Sequence, residues 1–299
     1  MSTTPDDGGA GRADQPAPPP ATCYRHPDRP TGIACTRCGR PICPECMIPA
    51  SVGFQCPECV KAGNAGVRTV RSFGLRTAGR RWGVVTLALI ALNVAMFVVT
   101  AVSAVSAGNS PADNQRSSVF VDLAQWPAGV HYLDEWWRVL TAAFLHIGPV
   151  HLAMNMLALL LFGSELERQL GWARYLAVYL TSALGGAVAI QLLGDPRVVV
   201  AGASAAIYGL LGALGVLMTA SRQDIRGLLT LLAINVFISF LPGISLLGHL
   251  GGLLAGALAG AVLVLLRRRT QLQVPALALV AIVLLVVSLT VPTLTVLDL

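Results

Sequence analysis

The sequence predicts an all-α polytopic membrane protein with a small Cys-rich module in front of its first membrane span. Of the 299 residues, 55% are hydrophobic and only 12% are charged, and the mean hydropathy is +0.67. Soluble domains carry about 25% charged residues. Several apolar runs approach or exceed the roughly 20 residues that cross a bilayer. All seven cysteines lie between Cys23 and Cys59, before the apolar part of the chain.

Three segments precede the membrane part. Residues 1–22 are rich in Pro, Gly, Ala and Asp and predict a disordered tail, without the apolar core of a signal peptide. Residues 23–60 hold the cysteines, and residues 61–81 form a linker with six basic and no acidic side chains. Basic residues just before a span orient this end toward the cytoplasm. The net charge of +6 therefore indicates contact with the lipid bilayer and not with nucleic acid.

The Cys-rich module contains four ligand pairs with two residues between the members of each pair. Eight soft ligands match two tetrahedral zinc sites, and an odd number of cysteines in a cytoplasmic segment disfavours a disulfide framework. The pattern resembles B-box and RING-type cross-braced fingers. That resemblance implies one ion on the first and third pairs and one on the second and fourth; a sequential pairing stays open. The predicted ligands are Cys23, His26, Cys35, Cys38, Cys43, Cys46, Cys56 and Cys59.

A structural role or a cytoplasmic protein partner is the expectation for this module, because few aromatic or basic residues stand out on it.

Seven apolar spans follow the linker, at about 82–105, 148–166, 172–193, 203–220, 227–241, 246–266 and 274–297. With the basic linker inside, the Arg-containing loops at 165–174, 221–226 and 267–269 are all cytoplasmic, as the positive-inside rule expects. The sequence thus predicts a multi-pass protein of the cell (plasma) membrane, with a cytoplasmic N-terminus and an outer C-terminus. Residues 82–266 would form the six-span body, and 267–299 a basic loop and a seventh span.

Polar side chains open the second, fourth and sixth spans, which all run from outside to inside. His151 and Asn155 lie on the second span, Ser204 and Tyr208 on the fourth, and His249 on the sixth. Residues four apart share a helix face, so these side chains face the bundle at similar depth. A serine hydroxyl becomes a nucleophile when a neighbouring base, usually histidine, takes its proton. No Asp or Glu lies at this depth, so the pattern predicts a Ser/His dyad; a serine that only packs is the alternative.

Four motifs in order resemble the rhomboid intramembrane serine proteases over about residues 82–266. They are Trp137–Arg138 in the first outer loop, His151–Asn155 as HxxxN, Gly202–Ser204 as GxS with Tyr208 following, and Gly248–Gly252 as GHxxG. The resemblance implies a rhomboid-like six-helix bundle, here with one extra C-terminal transmembrane helix. It also implies catalysis without a cofactor.

The resemblance assigns roles to single residues. Ser204 would be the nucleophile and His249 the general base, while His151 and Asn155 would stabilise the oxyanion together with the Ser204 backbone N–H. The supporting residues would be Gly202, Tyr208 against the His249 ring, and Trp137 and Arg138 in the outer loop. One departure is Ala205, where the family usually has Gly directly after the nucleophile.

The implied activity is cleavage of single-span membrane proteins near the outer face of the bilayer. Two other classes of protein are alternatives. A catalytically silent rhomboid-like protein that binds client transmembrane helices is the main one. A transporter or channel is disfavoured, because the sequence shows neither an inverted repeat nor charged residues along a pathway.

Overall fold

The computed structural model describes residues 20–50, 52–64, 81–240 and 243–291. The chain divides into two compact units, Met1–Ser72 and Phe73–Leu299. Most of the predicted tail (1–22) and most of the predicted linker (61–81) lie outside the described residues.

The described part of the N-terminal unit contains two small hairpins and one α-helix. Strands β1 (Thr22–Cys23) and β2 (His26–Pro30) pair antiparallel, as do β3 (Ile48–Pro49) and β4 (Phe54–Gln55). Helix α1 (Pro57–Asn64) follows. The buried core of this unit is five cysteines and Ile42. So few aliphatic side chains cannot hold a fold of this size together, which leaves that task to the cysteine ligands.

The second unit is a helical bundle in which every predicted span corresponds to a helix. The helices are α2 (Val84–Ser106), α6 (Gly148–Ala158), α7 (Ser164–Leu170), α8 (Trp172–Leu193), α9 (Ser204–Ala220), α10 (Arg226–Ile238), α11 (Leu246–Leu265) and α12 (Gln273–Thr290). A π-helical turn at Leu159–Gly163 joins α6 to α7. Among the described residues, five candidate spans are long and apolar enough to cross a membrane, whereas α9 and α10 are shorter apolar helices.

The outer loop between α2 and α6 carries three short helices, α3 (Ser118–Leu123), α4 (Pro127–Tyr132) and α5 (Arg138–Thr141). Asn114 ties this loop to the start of α6: its Nδ2 donates to the His146 carbonyl and its Oδ1 accepts from the Gly148 N–H. Backbone hydrogen bonds between Gln125 and Val200 link the loop to the segment before α9. The loop is therefore a folded part of the bundle.

Helices α8, α9 and α11 form the centre of the bundle, and glycine makes their close approach possible. A Cβ on Gly256 of α11 would lie 1.9 Å from the Gly209 carbonyl oxygen of α9. A Cβ on Gly252 would lie 2.0 Å from the Ala205 carbonyl oxygen. Backbone-to-backbone contact of this kind is typical of membrane helices with small residues at their interface.

Glu167, between the second and third spans, is buried and caps α2. Its carboxylate accepts hydrogen bonds from the backbone N–H groups of Val85 (3.0 Å) and Thr86 (2.8 Å) and from the Thr86 hydroxyl (2.8 Å). A helix N-terminus has unpaired N–H groups and a partial positive charge, so an acceptor with negative charge stabilises it.

Candidate active site

Ser204 is the first residue of α9, and the turn before it depends on glycine. Gly202 has φ +145°, a conformation that side-chain-bearing residues rarely adopt. A Cβ at Gly202 would also lie 3.0 Å from Cε1 and 3.1 Å from Nε2 of His151. The glycine therefore lets the chain turn into α9 while the His151 ring lies directly beside it.

The imidazole of His249 reaches Ser204 across the α9–α11 contact. Its Nε2 lies 2.8 Å from the Ser204 Oγ. His249 sits in the first turn of α11, where Ser245 caps the helix by accepting the Gly248 N–H at 3.1 Å. Tyr208 stacks on the buried His249 ring with centroids 4.1 Å apart and an interplanar angle of 13°. Ser204, His249 and Tyr208 are thus brought together as the sequence predicts.

The sequence does not point to Ser239, the residue that follows α10. Its Oγ lies 2.7 Å from Nδ1 of His249 and 2.9 Å from the Tyr208 hydroxyl. No motif marks this serine, and a single hydroxyl near the end of an apolar run carries no sequence signal. In the described part of the chain, no carboxylate hydrogen-bonds to His249.

The two predicted oxyanion residues are placed differently. His151 accepts the backbone N–H of Ile147 on its Nδ1 at 3.3 Å, so the ring proton belongs on Nε2, which lies beside Gly202. Asn155 is buried, and one N–H of its Nδ2 donates to the His151 carbonyl of its own helix at 2.9 Å. The structure thus places the His151 ring beside Gly202, two residues before Ser204, and ties the Asn155 amide to α6.

His146 lies behind His151, with ring centroids 5.1 Å apart. Its ring is buried, and neither ring nitrogen has a hydrogen-bond partner among the described residues.

Trp137 and Arg138 hold the outer loop. The indole Nε1 of Trp137 donates to the Asp122 carbonyl at 3.0 Å. The guanidinium of Arg138 is 3% exposed, donates to the carbonyls of Val121 and Ala124 and pairs with Glu135. A planar donor group with several N–H bonds suits this role, so both residues act on the loop and do not touch the serine.

The N-terminal unit contains two clusters of possible metal ligands. One consists of Cys23, His26, Cys43 and Cys46, and the other of Cys35, Cys38, Cys56 and Cys59. Within each cluster the ligand atoms lie within 4.8 Å of one another. The structure therefore groups the first pair with the third and the second with the fourth, which is the cross-braced arrangement and not the sequential one.

The spacing of these ligand atoms suits a tetrahedral ion. In the first cluster, Nδ1 of His26 lies 3.3 Å from the Cys43 sulfur, 3.5 Å from the Cys46 sulfur and 3.9 Å from the Cys23 sulfur. In the second, the Cys38 and Cys56 sulfurs are 3.8 Å apart. Usual zinc bond lengths place tetrahedral ligands about 3.6 Å apart for N and S and about 3.8 Å apart for two S atoms.

The environment of the first cysteine in each cluster favours the metal-binding thiolate. Burial raises the pKa of Cys23, but hydrogen bonds from the backbone at Arg25, Cys43 and His26 outweigh burial and lower the pKa to about 6. The pKa of Cys35 is lowered to about 6 in the same way, by backbone groups that include Cys56 and Arg37.

Comparison with known proteins gives a match in the membrane body. Residues 133–267 match the sequence model of the Rhomboid domain. The predicted fold class, a rhomboid-like helical membrane bundle preceded by a small module with two Cys/His clusters, is confirmed.

Three relatives support the rhomboid family. "RHOMBOID-like protein 6, mitochondrial" of Arabidopsis thaliana is 38% identical over 139 residues, 44% of this chain and 45% of the relative. "Rhomboid protease GluP" of Bacillus subtilis (strain 168) is 39% identical over 136 residues, 43% of this chain and 26% of the relative. "Putative rhomboid protease YdcA" of the same strain is 39% identical over 131 residues, 42% of this chain and 65% of the relative. The chain thus spans less than two thirds of each of these proteins.

Proposed function

We propose that this protein is an intramembrane serine endopeptidase with a Ser204/His249 dyad. The observation that carries the proposal is the 2.8 Å distance between the Ser204 Oγ and the His249 Nε2. A serine that only packs would bond a carbonyl of its own helix, as Ser182 does with Val178 at 2.7 Å. Ser204 instead has a base from another helix within hydrogen-bond distance.

The proposed chemistry proceeds through an acyl-enzyme. His249 takes the Ser204 proton through Nε2 as the Oγ attacks the scissile carbonyl carbon, and then gives that proton to the leaving amine. The negative charge that forms on the carbonyl oxygen needs donors already in place. The His151 Nε2–H is one, and the Ser204 backbone N–H is another, since the first N–H groups of a helix lack intrahelical partners. The Asn155 Nδ2 would contribute through its second N–H, since the His151 carbonyl accepts only one of the two.

The proposed substrates are single-span membrane proteins, cut near the outer face of the cell membrane. Helix α9 has 17 residues, so it is about 25 Å long against a hydrocarbon core of about 30 Å. If its last turn reaches the inner interface, Ser204 lies just below the outer one. A peptide bond there must leave its helix before Ser204 can attack it, so substrates should contain residues that weaken the helix near the cut.

The test is active-site labelling with a fluorophosphonate probe in detergent. Wild type should be labelled covalently, whereas Ser204→Ala and His249→Ala should not. Ser182→Ala is the matched control, because it removes another buried hydroxyl of the bundle, and it should be labelled like wild type. Labelling of wild type no greater than that of Ser204→Ala would overturn the protease proposal and favour the catalytically silent, client-binding alternative.

We further propose that each Cys/His cluster holds one structural zinc ion, with the two quartets of ligands described above. Zinc would supply the folding energy that a unit with so small an aliphatic core lacks, and it would take no part in peptide cleavage. The module would face the cytoplasm and could bind a protein partner there.

Metal analysis of the purified full chain should find two zinc ions, and Cys35→Ser should reduce the zinc content without removing the ion at Cys23. One ion or none in the wild type would contradict this.

A further inference from the structure

We propose that Ser239 is a positioning residue for the general base. Its Oγ accepts the Nδ1–H of His249 and so keeps Nε2 free to receive the Ser204 proton. The hydroxyl takes the place that a carboxylate holds in a Ser–His–Asp triad. The catalytic consequence rests on the proposed protease function, whereas the hydrogen-bond arrangement stands on geometry alone.

The Ser239 Oγ has three polar neighbours. They are the Asn235 carbonyl oxygen at 2.8 Å, the Tyr208 hydroxyl at 2.9 Å and His249 Nδ1 at 2.7 Å. A hydroxyl has one proton to donate and two lone pairs to accept with. A carbonyl oxygen can only accept, so the Ser239 proton goes to Asn235. Both remaining neighbours must then donate, and the hydrogen on His249 is assigned to Nδ1.

This assignment sets the tautomer that the chemistry requires. A neutral imidazole carries one ring proton, so a proton on Nδ1 leaves a lone pair on Nε2, which lies 2.8 Å from the Ser204 Oγ. In the opposite tautomer, the Nε2–H of His249 would point at Ser204 and Nδ1 would need a donor. Ser239 could donate to Nδ1 only by breaking its hydrogen bond to the Asn235 carbonyl. Since His249 is 7% exposed and Ser239 only 2%, solvent offers no ready substitute acceptor.

A hydroxyl also suits the apolar surroundings. During attack His249 gains a proton, and its Nδ1–H must keep an acceptor while the ring is charged. A carboxylate would provide that acceptor at the expense of a permanent charge inside a membrane bundle, which is unfavourable. Ser239 provides it without a charge, and the stacked Tyr208 ring offers its face to the same imidazolium.

The first test compares kinetics of probe labelling and substrate cleavage in three variants. Ser239→Ala should lower kcat about tenfold with little change in KM, the effect of losing one hydrogen bond to a charged group. Ser239→Thr keeps the hydroxyl and should recover most of that loss. Thr230→Ala is the matched control. The Thr230 hydroxyl also donates to the carbonyl four residues earlier on α10 (Arg226, 3.0 Å), but it is exposed and far from the dyad. This variant should behave like wild type. An unchanged kcat in Ser239→Ala overturns the proposal.

The second test reads the tautomer directly by 15N NMR of His-labelled full-length protein. The His249 resonances, identified by their loss in His249→Gln, should show a protonated Nδ1 and an unprotonated Nε2. Ser239→Ala should shift them toward the opposite tautomer, which a merely structural defect would not do. If the His249 ring of the wild type is protonated on Nε2, the proposed role of Ser239 is overturned, even if the fluorophosphonate probe reacts with Ser204. Absence of labelling in wild type overturns the protease proposal, whatever the NMR shows.

Discussion

At the scale of single residues, the alanine at position 205, directly after the proposed nucleophile, has a structural explanation. A Cβ on Gly186 of α8 would lie 2.5 Å from the Ala205 Cβ. The Ala205 methyl group therefore points into the α8–α9 interface, where glycine on the partner helix makes room for it.

We predict that Ala205→Gly leaves the rate of fluorophosphonate labelling within about threefold of wild type, a change in barrier of less than about 0.7 kcal/mol. Its free energy of unfolding should fall by about 0.5–1 kcal/mol, because glycine loses more conformational freedom in a helix than alanine. Thermal denaturation in detergent measures the second effect. A labelling rate that rises more than tenfold would show instead that the methyl group obstructs the oxyanion site.

Some contacts between residues could be predicted from the sequence and others could not. The contact of Ser204 with His249 could, because each residue opens a span of the same direction and both fall within spaced motifs. The contacts of Ser239 and Glu167 could not. They depend on which side chain a neighbouring helix presents, and a hydroxyl after a short span or an acid between two spans has many possible partners. The Asn155 amide shows the same limit, since helix position fixes its face but not its hydrogen-bond partner.

At the scale of elements, the contact between α9 and α11 determines whether the dyad forms. Ser204 and His249 lie on different helices, and the hydrogen bond between them requires backbones in contact at Gly252 and Gly256. The repeat of glycine every fourth residue from Gly248 to Gly260 predicts this contact from sequence. The glycine repeat does not predict that Ser239, at the end of α10, approaches the same histidine. Helix α10 is only 13 residues long, and its sequence does not indicate where it lies in the bundle.

We predict that Gly256→Ala weakens both stability and labelling. Its methyl group would overlap the Gly209 carbonyl, so the helices must separate; overpacking of this kind lowers the free energy of unfolding by about 1–3 kcal/mol. Gly215→Ala on α9 is the control, because the nearest atom to its new Cβ is the Leu228 Cδ2 at 3.4 Å. It should be neutral or slightly stabilising. Equal melting temperatures for the two variants would contradict this account of the interface.

At the scale of the whole molecule, the order of the helices sets which loops face which side of the membrane. The segment 194–203 precedes α9 and the segment 221–225 follows it, so the two lie at opposite ends of one helix. Arginines are concentrated in the loops on the side of the N-terminus, including 267–269 before α12. The positive-inside rule therefore predicts that Ser204 and the segment before it lie toward the outside.

This topology can be tested with a membrane-impermeant maleimide on intact cells, using one pair of variants that flank α9. Arg197→Cys should react, because Arg197 is exposed in the outer segment, whereas Gln223→Cys should react only after the cells are opened. The unsubstituted chain is a built-in control, since all its cysteines lie between Cys23 and Cys59 and should be shielded in the cytoplasm. Reaction of Gln223→Cys but not Arg197→Cys in intact cells would invert the topology. It would also move the proposed cleavage to the cytoplasmic face, because Ser204 follows the Arg197 segment directly into α9.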